Sequence, residues 1–333
     1  MRICVIGAGS IGGLLAAKLA HAGEDVAVVA RGAHLAAIRE NGLRLIEGGS
    51  EFAVKVQATD RTGALGRQDC VVLGVKAHQV ADVAADVPAL LGDETTILTA
   101  QNGIPWWYFF KHGGDLEGRR LESVDPGGVI ANHLPIDRIV GSVVYAAAEI
   151  AAPGVIKHIE SNRFSIAEID NSTTPRVAAL SQALARAGFK APVVSDIRSE
   201  IWMKLWGNLT FNPVSALTHA TLEDVCRYPP TRALAARMMA EAQAIAEALG
   251  VRFRISIDRR IAGAEAIGKH KTSMLQDVEA GRAIEADALL GSVLELGRIV
   301  GVAAPCLENV YALIKLTAKT LQDRHGRLRV EPL

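Results

Sequence analysis

The chain has no surplus of either charge: Lys and Arg total 36, Asp and Glu total 36, and the formal net charge is zero. Proteins that grip nucleic-acid phosphates show a basic excess, so that class of partner is not expected. Cysteine is scarce and shows no pairing pattern. Cys4, Cys70, Cys226 and Cys306 lie far apart without a CxxC motif, which argues against a disulfide framework and against a metal site. Cys4 and Cys70 fall inside apolar runs, where cysteine acts as a small hydrophobe. A reducing, cytoplasmic setting is the expectation. No stretch approaches about 18 uncharged apolar residues, so no membrane span is expected. The apolar start resembles a secretory leader only in outline, because Gly7, Gly9, Gly12 and Gly13 interrupt it and Lys18 follows. Internal repeats and low-complexity tracts are also missing.

What is present is apolar sequence in quantity. Half of the 333 residues are hydrophobic, enough for a large core and for two domains. Residues 2–6, 25–30, 69–75 and 96–100 are continuous apolar runs, with helical stretches such as 11–22 between them. Strands apolar on both faces belong to a parallel sheet covered by helices. Residues 43–46 and 51–56 flank a Gly-Gly-Ser turn and predict a hairpin. From about Asp196 strand signals fade, and helices are predicted over 196–212, 233–249, 273–301 and 304–320. The expected class is α/β: a doubly wound Rossmann sheet over residues 1–192, then an all-helical domain over 193–333. Residues 106–135 lack a period and read as a long excursion hung on the first domain. Their cluster Trp106, Trp107, Tyr108, Phe109 and Phe110 is too apolar for a free loop. It is expected to be buried, beside a binding cleft or in the subunit contact of a homodimer.

Gly7, Ala8, Gly9, Ser10, Ile11 and Gly12 spell GxGxxG between an apolar strand and a helix. In that setting Gly7 allows a tight turn, Gly9 lets a pyrophosphate approach the helix N-terminus, and Gly12 lets helix and strand pack closely. The end of the second strand selects the dinucleotide. An NAD site places an acid there for the ribose 2′-OH; this chain has Ala30, Arg31 and Gly32. A guanidinium pairs with a 2′-phosphate that a carboxylate would repel, so NADPH is expected. Lys76 and Asn102 follow successive strands, at the carboxyl ends where such sheets bind ligands.

In the second half, Lys204, Asn208 and Asn212 are spaced i, i+4, i+8 and share one helical face beside an apolar stripe of Ile197, Ile201, Leu205 and Leu209. A lysine offers charge and a transferable proton, and asparagines offer orientable donors and acceptors. Pro213 disfavours helical geometry at Asn212, which places that residue at a kink or helix end. Ser273 to Gln276 fits a capping box with Ser273 as the cap. Gly281, inside the predicted 273–301 helix, marks a close approach, and Glu285 follows it.

These residues together resemble the ketopantoate reductase (2-dehydropantoate 2-reductase) family. The resemblance rests on GAGSIGG, VKAHQ, QNG, SEIWMKLWGNLTFNP and KTSMLQDVEAGRAIEAD, and it covers nearly the whole chain. It implies a Rossmann domain followed by a helical domain resembling that of 6-phosphogluconate dehydrogenase. It also implies reduction of 2-dehydropantoate to pantoate by NADPH, a step of pantothenate biosynthesis. On this resemblance Gly7 to Gly12, Arg31, Lys76, Asn102 and Ala147 match cofactor-binding positions. Lys204 matches the catalytic lysine, while Asn102, Asn208, Asn212 and Ser273 match substrate contacts. Glu285 matches a catalytic acid that also touches the cofactor. The chain departs from the family in the length of the 106–135 segment and in SALTHATLED, which lacks a further asparagine found in some members. Another small 2-oxo acid as substrate fits the same motifs. A non-catalytic NADP(H) sensor would need only the first half of the inventory.

Overall fold

In the computed structural model, residues 1–331 are described, and the chain divides by internal contacts into Met1–Glu200 and Ile201–Leu333. The first unit holds the strands β1 (Arg2–Ile6), β2 (Asp25–Val29), β3 (Leu43–Glu47), β4 (Ser50–Val54), β5 (Gln57–Thr59), β6 (Gln68–Leu73), β7 (Leu91–Thr99), β8 (Ile139–Val144), β9 (Ala147–Ala152), β10 (Val155–Glu160) and β11 (Phe164–Glu168). Its helices are α1 (Ser10–His21), α2 (Gly32–Asn41), α3 (Val80–Ala84), α4 (Val129–His133) and α5 (Pro175–Arg186). Seven strands make one sheet in the order β11-β8-β7-β6-β1-β2-β5, parallel throughout except where β11 runs against β8. From β1 the order grows one way to β2 and the other way to β6. That reversal opens a crevice at the carboxyl ends of the strands, as in the Rossmann architecture.

Cys4 and Cys70 lie in the two central strands, and burial pushes both thiols up to about 12. They are therefore inert packing groups near neutral pH.

A second sheet, β4-β3-β10-β9, lies across α1 from the first, with α1 packed against β1 and β2 on one side and β3, β4, β9 and β10 on the other. Only its β3–β4 hairpin is legible in the sequence. Apart from Ile150, the β9 sequence AAEIAA is made of residues with weak strand preference, and it is a strand because β10 pairs with it.

The 106–135 segment is a packed part of this unit. Trp106, Trp107, Tyr108 and Phe109 are all buried, Trp107 Nε1 donates to Thr99 Oγ1, and the Trp107 ring fills the space beside Gly141. Buried Asp125 accepts from the backbone of Ile130 and Ala131 at the start of α4. Arg198 donates to the carbonyls of Tyr108, Phe110 and Ile169, at 2.8, 2.8 and 2.6 Å. Four residues of the aromatic cluster are thus buried as expected, with Phe110 half-buried, and this lends no support to a subunit contact.

The second unit is helical: α6 (Ile197–Thr218, entering from the first unit), α7 (Leu222–Arg227), α8 (Pro229–Ala248), α9 (Ile257–Glu265), α10 (Ser273–Ala280), α11 (Ser292–Val300) and α12 (Pro305–Asp323). The centre is α8, which packs against α7, α9, α11 and α12 and receives the Trp206 indole N–H at Met239 O. Two of these helices depart from what the sequence predicts. The helix does not end at Asn212; α6 runs through Pro213 to Thr218. A proline costs one backbone hydrogen bond, about 3 kcal/mol, and the burial of Phe211, Val214 and Ala216 around it offsets that. The 273–301 helix is broken. Gly281 caps α10 in the left-handed conformation at φ 66°, and Arg282 N donates to Asp277 O, a Schellman ending. Helix then resumes through a π-helical turn, Asp287–Gly291, into α11. Among the described residues no helix is long and apolar enough to cross a membrane.

Trp107 is 1% exposed and joins the aromatic segment to the sheet. Trp107→Ala should therefore destabilise the protein by about 3–5 kcal/mol, read as a shift of the denaturant midpoint. A loss below about 1 kcal/mol would show the segment to be loosely held.

Candidate active site

The turn after β1 is built from glycines that have no room for a side chain. Gly7 has φ +92°, and a Cβ there would stand 2.6 Å from Val75 Cγ1. A Cβ on Gly12 would overlap Gly7 O, and one on Gly74 would lie 2.7 Å from the same oxygen. Gly9 differs. Nothing lies within 4 Å of where its Cβ would be, and it caps α1 without a side-chain hydrogen bond. First-turn amides and the positive end of the α1 dipole thus face a cradle suited to an anion.

That cradle is a cavity of about 250 Å³ lined by Gly7, Ala8, Gly9, Arg31, His34 and Gln79 among others. Ala8 is buried, while Ser10 and Ile11 open α1 half-buried. Arg31 is exposed and extended at the end of β2, directly before α2, whose first turn carries no acid and no side-chain cap. Residues of this kind fit a dinucleotide with a phosphorylated ribose: the cradle takes a pyrophosphate, and a cation with no acid on its own turn takes the 2′-phosphate, the cavity's one carboxylate, Asp82, coming from α3.

Lys76, Asn102 and Ala147 stand outside the cavity's lining, although Val75 and Gln79 on either side of Lys76 belong to it. Lys76 caps a single 3-10 turn at the end of β6, with its backbone N–H on Gln79 Oε1. Asn102 is half-buried in the turn after β7, ahead of Gly103 at φ +89°. Ala147 opens β9. Gln101, which sequence reasoning passed over, binds these strand ends together. Its Nε2 donates to Leu73 O at 2.7 Å and Val75 O at 3.0 Å, so the Lys76 and Asn102 loops hold one another. Nothing local in QNG marks Gln101 for that role, since its partners lie at separations of 28 and 26 residues.

In the second unit, the unbroken α6 carries Lys204, Asn208 and Asn212 along one face. Burial pulls the Lys204 ammonium down to about 8, and the charge of Glu285 works in the opposite direction. Glu285 is half-buried in the non-helical link between Gly281 and the π turn, which is why it is free of the helix surface the sequence suggested. Ser273 is not the cap of α10. Thr272 Oγ1 accepts from Leu275 N, and Ser273 is the first helical residue. A one-residue shift thus frees the Ser273 hydroxyl, which accepts from buried Asn212 Nδ2 at 3.5 Å. The structure therefore pairs Asn212 with Ser273 and sets Glu285 within electrostatic range of Lys204. An ammonium close to its point of deprotonation, flanked by amides and a hydroxyl, can hold a polar substrate and give it a proton.

Two family models match the chain: one described as Ketopantoate reductase PanE/ApbA over residues 3–171, the other as its C terminal over residues 196–318. A 2-dehydropantoate 2-reductase from Mesorhizobium japonicum is 54% identical over 319 residues, spanning 96% of this chain and 98% of that protein. A crystal structure from Ralstonia solanacearum superposes with a TM-score of 0.92 at 42% identity, covering 96% of this chain and 98% of that one. A PanE/ApbA family ketopantoate reductase from Ralstonia eutropha gives 0.83 at 27% identity, with 97% and 100% covered.

The glycines make separable predictions. Gly9→Ala has space and an ordinary φ of −67°, so it should leave the melting temperature unchanged while weakening dinucleotide binding. Gly12→Ala should lower the melting temperature itself. Fluorescence titration and thermal unfolding of both variants check this. Full cofactor affinity in Gly9→Ala would mean that the open space is not where the pyrophosphate sits.

Proposed function

This chain belongs to the ketopantoate reductase family, and from that premise we propose that it reduces a small branched 2-oxo acid, 2-dehydropantoate foremost, to the 2-hydroxy acid with NADPH, in a cytoplasmic setting. What carries the proposal is Lys204: a half-buried ammonium that desolvation pulls down to about 8, on the helix face that also bears Asn208 and Asn212.

The glycine turn and the α1 amides hold the pyrophosphate, and Arg31 holds the 2′-phosphate. Lys76, Asn102 and Ala147 would line the nicotinamide side, and Asn102 would also contact the substrate. When bound, the nicotinamide supplies a hydride to the keto carbon. Lys204 stabilises the negative charge that grows on the carbonyl oxygen and then donates its proton there. Glu285 keeps Lys204 charged in a setting whose burial favours the neutral amine. Asn208, Asn212 and Ser273 hold the hydroxyl and carboxylate so that the carbonyl stays aligned. A sensor that only binds the cofactor has no use for a lysine with this acidity.

Lys204→Ala should lower kcat by about 10²–10⁴-fold, with NADPH titration unaltered. Because only the ammonium can donate, native kcat should hold below and fall above about pH 8. In Glu285→Gln the carboxylate that raises the Lys204 value is gone, so the fall should move to lower pH. A profile that stays level through that range, or moves upward in the variant, would place the proton elsewhere.

Arg31→Ala should weaken NADPH by roughly one to two decades, the worth of one charge-assisted pair. NADH should be almost unaffected. Equal kcat/KM for the two cofactors in the native protein would remove Arg31 from this role.

A further inference from the structure

One turn into α2, His34 is half-buried and lines the same cavity as Arg31. Its ring joins two backbone segments far from it in sequence. Gly154 N donates to Nδ1 at 3.0 Å, and Nε2 stands 2.7 Å from Ala8 O. A nitrogen that accepts an N–H carries no hydrogen of its own, so the partners assign the tautomer: Nδ1 is bare, and Nε2–H donates to Ala8 O. Gly154 is well placed to be the fixed end. It is the left-handed turn of the β9–β10 hairpin at φ +77°, its Cβ position is 3.0 Å from Ala37 Cβ, and its own carbonyl accepts from Arg44 N at 2.9 Å.

The Ala8 carbonyl is one end of a planar unit whose other end is Gly9 N–H. No cis peptide occurs among the described residues, so that carbonyl and that N–H point in opposite directions across the trans bond. Fixing the oxygen on His34 therefore fixes the direction of the Gly9 amide. Gly9 is the one glycine of the fingerprint with open space beside it, at the mouth of the cradle. Gly13 of α1 also lies close to this carbonyl: a Cβ built there would stand 3.0 Å from Ala8 O.

We propose that His34 is a positioning residue for cofactor binding: it aims the Gly9 amide at the pyrophosphate by holding the Ala8 carbonyl, with the β9–β10 turn as its anchor. This rests on the dinucleotide reading above. The pyrophosphate is common to NADPH and NADH, so the effect of His34 is blind to the 2′-phosphate, unlike that of Arg31.

The test uses the full chain with His34→Ala, His34→Phe and His34→Gln. Fluorescence titration with NADPH and with NADH, melting temperature, and kcat at saturating NADPH are measured for each. Ala and Phe should weaken both dinucleotides by the same factor, roughly tenfold for two neutral hydrogen bonds acting through one peptide. A loss of uniform binding leaves kcat at saturation unchanged. Gln can donate and accept in place of the ring and should recover most of the affinity. Phe keeps the ring's volume, so it reports on the hydrogen bonds if Ala fails to fold. A loss confined to NADPH would make His34 a direct phosphate contact and overturn the proposal. So would native affinity in Phe, a Gln variant no better than Phe, or a fall in kcat at saturation. If the native protein binds neither dinucleotide, it is the cofactor reading that fails, a result distinct from any of these.

Discussion

Three backbones meet at one point in the first unit, and that contact sets the rest. The carbonyl of Gly7 faces Gly12 on α1 and Gly74 at the end of β6, all without side chains between them. With this approach closed, Gly74 N donates to Ile6 O and Gly7 N donates to Val29 O, so β1 stays hydrogen-bonded to β6 and β2 up to its last residue. Helix α1 can then start directly over the strand ends, with its amides facing the crevice. Gly13 carries the same demand to the other face of α1, where a Cβ would meet Ile156 of β10 at 2.7 Å. The double glycine in GSIGG thus belongs to two different contacts, one with each sheet.

The second unit depends on a different constraint, the cost of desolvating a cation. Desolvation favours the neutral amine of Lys204, a carboxylate nearby favours the ammonium, and the balance leaves a proton that is held loosely. Such a balance requires Glu285 to be off the helix surface. The left-handed cap at Gly281 ends α10, and the chain reaches Glu285 before the π turn begins. That turn is held from α12, where Tyr311 and Lys315 bind Asp287. π turns are rare because their hydrogen bonding is poorer, and they recur where a function needs one residue out of register.

Much of this was legible in the residues. The apolar runs predict the central parallel strands, the Gly-Gly-Ser turn predicts the β3–β4 hairpin, and the glycine spacing predicts the cradle. The i, i+4, i+8 spacing of Lys204, Asn208 and Asn212 places them on one face whatever surrounds the helix. Expectations failed where two local rules competed or where pairing came from afar. Thr272 and Ser273 are both good caps, and only the packing of α10 chose the first. Pro213 opposes a helix locally, and its buried neighbours overrode it. AAEIAA, Ile150 aside, has no strand signal of its own.

The sequence by itself determined the apolar strands β1, β2, β6 and β7, the β3–β4 hairpin, the glycine turn, the absence of an acid at the end of β2, and which polar side chains share a helix face. These follow from local sterics and periodicity, which act over a few residues. The tertiary structure alone decided that the aromatic segment is buried within its own unit and that Gln101 ties two loops together. It also decided that His34 bridges Ala8 and Gly154, and that desolvation pulls the Lys204 ammonium down against the opposing charge of Glu285. Each of these depends on what stands opposite a side chain in space, and hydrogen bonds and desolvation are fixed by neighbours that the chain brings from many residues away.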